Sequence, residues 1–151
     1  MKRIFIFPTI EEAKAFILTE PRDPVFVGGV GMAEIAAATL RAVKAKKPQL
    51  VVLAGIAGAC DRTLRRGEVV EVVCERIAGI PERYAREYET SGPDLGLPLA
   101  AFFAVCDALG VACCQIRAVS NYVGEPFGQW AVEEAVGNLT EKLNQIFENN
   151  E

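Results

Sequence analysis

The sequence predicts an α/β protein: a three-layer α/β/α arrangement around a mostly parallel sheet of about five strands, in a single domain over residues 1–151. Three observations carry that expectation. Short β-rich runs alternate with amphipathic helical runs, the pattern of a parallel sheet with crossover helices. Leu50–Ala54 is almost continuously apolar, as in a strand covered on both faces. The 151 residues, 51% of them apolar, match the commonest domain size and can bury a core without disulfides or a metal.

The elements follow in order. Arg3–Phe7 reads as a strand ended by Pro8-Thr9, and Ile10–Leu18 as a helix, since Ile10, Ala13, Phe16 and Ile17 recur at helical spacing. Thr9 is placed to cap it, with Glu11 and Glu12 in the first turn. Pro21 to Pro24 forms a turn, and Val25–Val30 a second strand that passes through Gly28-Gly29 and Gly31 into a helix over Met32–Lys46. Lys44, Lys46 and Lys47 suit the negative end of that helix, and Pro48 stops it. Leu50–Ala54 is the third strand, Gly55–Gly67 a loop and Glu68–Cys74 a further strand. Ala78–Gly96 is polar and rich in Gly, Pro and charge. Pro98–Leu109 is an apolar helix with Pro98 in its first turn and Gly110 at its end. Val111–Val119 is the last strand, Ser120–Gly128 a turn, and Gln129–Phe147 the closing helix.

Composition removes several function classes. Sixteen Lys and Arg against twenty Asp and Glu give a net charge of -4, with no basic stripe for nucleic acid. The apolar runs Leu50–Cys60 and Leu95–Cys106 fall well short of the roughly 20 residues of a membrane helix. Ile4–Phe7 is too short for the core of a signal peptide, so a cytoplasmic location is expected. Cys60, Cys74, Cys106, Cys113 and Cys114 lack C-x-x-C spacing and sit in apolar surroundings, which fits reduced, buried thiols rather than a metal or redox site. Histidine is absent, which removes Ser-His-Asp and Cys-His catalysis and every His-based metal site. No cofactor is expected, because Gly28-Gly29-Val30-Gly31 is neither a dinucleotide fingerprint nor a P-loop.

In parallel α/β sheets, ligands bind beyond the carboxyl ends of the strands. The loops Pro8–Glu12, Gly28–Met32, Gly55–Asp61 and Ser120–Val123 fall there. Gly31 and its neighbours allow a ligand near backbone N–H groups, or simply a tight turn into a helix. Gly55-Ile56-Ala57-Gly58-Ala59 makes a floor for a flat ligand, or room for helix packing. Glu11 and Glu12 complement the helix dipole or act on a substrate. Arg117 is a charge inside an apolar strand; it reaches either a solvent-facing edge or a ligand or carboxylate. Asn121 follows it and both donates and accepts hydrogen bonds.

Taken in order, these segments resemble the nucleoside phosphorylase/nucleosidase superfamily. The stretches are Thr9-Ile10-Glu11-Glu12-Ala13, Gly28-Gly29-Val30-Gly31-Met32, Gly55-Ile56-Ala57-Gly58 with Leu64-Arg65-Arg66-Gly67-Glu68-Val69-Val70, and Gln115-Ile116-Arg117-Ala118-Val119-Ser120-Asn121. Ser120-Asn121-Tyr122-Val123, Trp130, Ala135 and Asn138-Leu139 are most similar to the futalosine hydrolase branch. Those enzymes cleave the N-glycosidic bond of a purine nucleoside in a menaquinone pathway. The resemblance implies a reduced nucleoside phosphorylase-like fold and hydrolysis through an oxocarbenium-like sugar. Glu12 then matches the water-activating carboxylate and Asn121 the leaving-group residue. Gly31, Ile56, Ala57, Gly58, Arg117 and Ser120 match substrate-binding positions.

The departures from that family are specific. A Glu-Met-Glu-Gly-Ala-Ala motif is replaced by Gly96-Leu97-Pro98-Leu99-Ala100-Ala101, so the carboxylate for the ribose hydroxyls is missing. Glu87, Glu89 and Asp94 lie nearby in sequence, but none occupies the motif position. Most of the strands that normally lie between Val73 and this helix are deleted. Two readings follow: a compact purine nucleosidase, or a catalytically impaired relative acting as a ligand-binding or assembly subunit. The deletion and the family's habit both imply a homo-oligomer, a dimer first.

Overall fold

The computed structural model describes residues 1–59, 62–73, 76–77 and 97–147. Expectations for Cys60, Asp61, Cys74, Glu87, Glu89, Asp94 and the rest of residues 78–96 lie outside that set. The strands are β1 (Arg3–Phe7), β2 (Val25–Val27), β3 (Leu50–Ala59), β4 (Val69–Val73), the two-residue β5 (Arg76–Ile77) and β6 (Ala112–Tyr122). The helices are α1 (Ile10–Ile17), α2 (Met32–Lys46), α3 (Leu97–Leu109) and α4 (Val132–Phe147), with a 3-10 turn at Phe127–Gln129.

The strands form one sheet in the order β2-β1-β3-β6-β4-β5. The first four run parallel, β4 is antiparallel to β6, and β5 to β4. β3 lies inside the sheet, as its apolar run requires. Alternate residues of the inner strands face two separate cores. Phe5, Phe7, Val52, Ala54, Ile116 and Ala118 pack with α1 and α4, through Phe16, Leu139 and Leu143. Ile4, Ile6, Val51 and Leu53 pack with α2 and α3, through Ile35, Ala42, Phe102 and Cys106. The protein is therefore a three-layer α/β/α fold with a mostly parallel sheet. Ala135, Leu139, Leu143 and Phe147 repeat every fourth residue, so α4 buries one stripe and leaves its acids in water.

Several boundaries differ from the sequence reading, and two of them matter for function; the second strand, for one, ends at Val27 rather than Val30 because its pairing with β1 stops there. Gly55–Ala59 is strand rather than loop, because β6 runs on beside it and pairs as far as Ala59↔Tyr122. For the same reason Ser120 and Asn121 lie within β6 and not in a turn. The last helix starts at Val132 instead of Gln129, since the 3-10 turn and an extended Trp130 precede it. Among the described residues, no helix is long and apolar enough to cross a membrane, and no group of three or more His, Cys, Asp or Glu is placed to hold a metal ion.

Candidate functional site

Glu12 is fixed by the start of α1. Thr9 is the N-cap: its hydroxyl accepts from the Glu12 N–H at 3.2 Å and donates to Glu12 Oε2 at 2.7 Å. The Thr-x-x-Glu spacing is that of a capping box, here closed through the hydroxyl. The carboxylate sits at the positive end of the helix dipole. Its other oxygen, Oε1, accepts from the Ile56 N–H in β3 at 2.8 Å. The side chain is buried and tied to two elements at once.

Arg117 approaches the same place from the other side of β3. It lies opposite Gly55 in the parallel β3–β6 pair and opposite Val70 in β4. A Cβ on Gly55 would sit 2.8 Å from Arg117 Nη1, 2.8 Å from Glu12 Oε1 and 3.2 Å from Pro8 Cδ. Glycine at this position lets the guanidinium and the carboxylate both pack close against β3. Arg117 Nε donates to Gln115 Oε1 at 3.2 Å, and the arginine is 6% exposed. Such a buried cation, packed with a carboxylate against a glycine, supplies N–H donors that suit an anion or another polar group.

Asn121 sits further along the same strand. It pairs with Gly58 across a register shift between Ala57 and Gly58, which makes Ser120 the extra residue of a β-bulge. Ser120 donates its hydroxyl to Asn121 Oδ1 at 2.7 Å, with the Ala57 carbonyl 3.4 Å away. Asn121 Nδ2 donates to the Tyr122 carbonyl at 3.0 Å. Both residues are buried. The amide is thus held by its own strand, two residues along β3 from the Glu12 anchor, or roughly 7 Å.

The structure therefore gathers Glu12, Ile56, Ala57, Gly58, Arg117, Ser120 and Asn121 at the carboxyl end of the parallel strands. Gly31 stands apart: it is the N-cap of α2 with φ 102°, and nothing lies within 4 Å of where its Cβ would be. Its neighbour Gly28 serves packing, since a Cβ there would meet the Ala38 Cβ at 2.9 Å. Three contributors escaped the sequence reading. From the sequence alone, Thr9 has a capping role, Gly55 a place in a candidate ligand floor, and Gln115 no role of its own. The Thr-x-x-Glu spacing and a glutamine inside an apolar strand were the available signals. A cavity of about 150 Å³ between Arg3, Phe16 and Phe147 lies at the opposite end of the sheet, remote from this cluster.

A second polar network flanks Asn121. Glu125 accepts from the Tyr122 N–H at 2.6 Å and pairs with Arg66, while the guanidiniums of Arg62 and Arg66 each lie 4.8 Å from the Tyr122 ring centroid. The backbone hydrogen bond from Tyr122, ahead of the nearby arginines, holds the Glu125 carboxyl below its ordinary pKa.

No family model matches the sequence, and no curated protein matches it either. Solved structures do match in fold. A 5'-methylthioadenosine/S-adenosylhomocysteine nucleosidase from Helicobacter pylori superposes with a TM-score of 0.72 at 16% identity, covering 98% of each chain. Futalosine hydrolase from Helicobacter pylori gives 0.71 at 14% identity over 97% of each chain. A methylthioadenosine/S-adenosylhomocysteine nucleosidase from Neisseria meningitidis gives 0.69 at 17% identity, over 97% of this chain and 98% of that one. The near end-to-end superposition shows that the chain shares the fold of these nucleosidases and of futalosine hydrolase.

Proposed function

We propose that this protein takes a purine nucleoside at the Glu12–Arg117–Asn121 cluster and cleaves its N-glycosidic bond by hydrolysis, in the manner of a futalosine hydrolase. One observation carries the reading: Glu12 Oε1 and Arg117 Nη1 are brought together against Gly55, each 2.8 Å from where its Cβ would be, at the end of the sheet where α/β ligand sites form. In the proposed reaction Glu12 takes a proton from water as the oxygen attacks the anomeric carbon and the carbon–nitrogen bond breaks. The electron pair leaves with the base. Asn121 donates a hydrogen bond to the departing purine, and Ile56, Ala57 and Gly58 form the floor beside it. Ser120 orients the Asn121 amide and Arg117 holds the attacking water. No cofactor takes part.

The fold neighbours support the class of ligand. Their structures include complexes with butyl-thio-DADMe-Immucillin-A and methylthio-immucillin-A. One is a mutant nucleosidase with 5'-methylthioadenosine in the active site. The substrate proposed for this chain is futalosine or a similar purine nucleoside, which places it in menaquinone biosynthesis in the cytoplasm. The protein is proposed to work as a homodimer, because Ile10, Val27, Val30, Met32 and Phe127 are exposed near the site end of the sheet.

A second reading has its own support. An amide does not readily transfer a proton to a leaving base, and Asn121 is already bonded at both ends of its amide. A chain that binds a nucleoside without turning it over would keep this arrangement. Incubation with futalosine, methylthioadenosine and inosine, with and without phosphate, separates the two readings. Release of free base without phosphate supports the hydrolase. Saturable nucleoside binding with no base released supports the binding subunit.

A further inference from the structure

Most of the buried polar side chains are already accounted for. Glu12, Arg117, Ser120 and Asn121 build the site, Thr39 bonds back to Ile35 in its own helix, and Arg3 pairs with Asp23 at the far end. Gln115 remains. It is fully buried in β6, between Leu53 of β3 and Val72 of β4. An amide in an apolar layer costs free energy unless it is bonded, so its presence asks for a partner that needs it.

We infer that Gln115 is a positioning residue for the nucleoside site proposed above: its Oε1 accepts from Arg117 Nε and thereby sets the guanidinium against Gly55 and Glu12. The two residues are two apart on one strand, so their side chains leave the same face. Pairing to β3 on one side and β4 on the other fixes both backbones. What the strand cannot fix is the end of an arginine, which has four rotatable side-chain bonds and loses much entropy when held still. A bond at Nε restrains the guanidinium plane at the atom nearest the chain. It also leaves the two Nη groups, the edge suited to a ligand, directed away from Gln115. The 2.8 Å approach of Nη1 to the Gly55 Cβ position is the result.

The experiment compares wild type with Gln115→Met, which keeps the length but removes the acceptor, and Gln115→Glu, which keeps an acceptor at the same reach. For base release, Gln115→Met is expected to lower kcat by about 10- to 100-fold with KM changed only a few-fold, the signature of a misplaced group. Gln115→Glu should recover most of that loss. A second readout needs no substrate: the nitrogen-15 signal of the Arg117 Nε–H, assigned by its loss in Arg117→Lys. Exchange with water should be slow in wild type and Gln115→Glu, and fast in Gln115→Met. A folded Gln115→Met variant with wild-type kcat and an equally protected Nε–H overturns the inference. Absence of base release in wild type counts against the functional reading, while the Nε–H exchange still decides the role of Gln115. If Gln115→Met does not fold, Gln115→Asn, one methylene shorter, gives the same comparison.

Discussion

Replacing Gly55 by alanine puts a methyl group where Glu12 Oε1 and Arg117 Nη1 converge. Both atoms stand 2.8 Å from the new carbon, and Pro8 Cδ 3.2 Å. Optimal contact begins near 3.5 Å, so the carboxylate and the guanidinium must each retreat by about 0.7 Å. They are the ends of flexible side chains, so the fold can absorb the change. Alanine restricts the unfolded chain, worth about 0.4–1 kcal/mol in its favour. Loss of the Ile56 N–H to Glu12 bond costs about 0.5–1.5 kcal/mol in the other direction. Net stability should therefore move by no more than about 1 kcal/mol in urea unfolding. Activity should fall far more, by roughly 10- to 100-fold in kcat/KM for base release, because displacements of this size at reacting groups are that costly. If glycine is present only for helix packing, the opposite pattern appears: overpacking costs about 1–3 kcal/mol and the folded fraction keeps full activity. That result would refute the assignment of Gly55 to the site.

Other outcomes follow from the same structure. Thr9→Ala removes a helix cap and the Glu12 Oε2 bond, and should lower stability by about 1 kcal/mol together with activity. Asn121→Ala should slow base release by about 3- to 10-fold, the worth of one hydrogen bond, without abolishing it. Leu139→Ala, which empties a fully buried position between α4 and the sheet, should cost about 2–5 kcal/mol in chemical denaturation. Glu125 has a depressed pKa when folded, so its stabilising effect is present near neutrality and is lost as pH falls through that value. The melting temperatures of wild type and Glu125→Gln should accordingly differ at pH 7 and converge in acid. Burial, with Glu71 and Cys113 nearby, pushes the Cys114 thiol up to about 12, whereas the Cys106 thiol bonded to Cys113 lowers the pKa of Cys113. Iodoacetamide at pH 8 should label Cys113 before Cys114, as read by peptide mass spectrometry.

Layering and strand direction were legible because burial on both faces leaves the continuous apolar runs seen in Ile4–Phe7 and Leu50–Ala54. The extent of β3 was not. Apart from Ile56, Gly55–Ala59 is written in residues that strands disfavour, and pairing with β6 keeps them extended. The antiparallel entry of β4 is likewise a tertiary choice that local pattern does not encode. At the site, Arg117 and Asn121 stood out as polar groups at the end of an apolar strand. Glu12 was visible as an acid in a first helical turn, but its bond to Ile56 joins residues 44 apart in sequence and leaves no periodic mark. Gly55 was ambiguous for the same reason, since a glycine required by two converging side chains looks like one required by a helix.

The most direct test of the account pairs Glu12→Gln with wild type, measuring base release and nucleoside binding in the same samples. Glutamine is close in size and can still accept a hydrogen bond from the Ile56 N–H, yet it cannot take a proton from the attacking water. Wild type is expected to release base, and Glu12→Gln to bind the nucleoside with similar affinity and release none. Base release by Glu12→Gln at the wild-type rate would contradict the account.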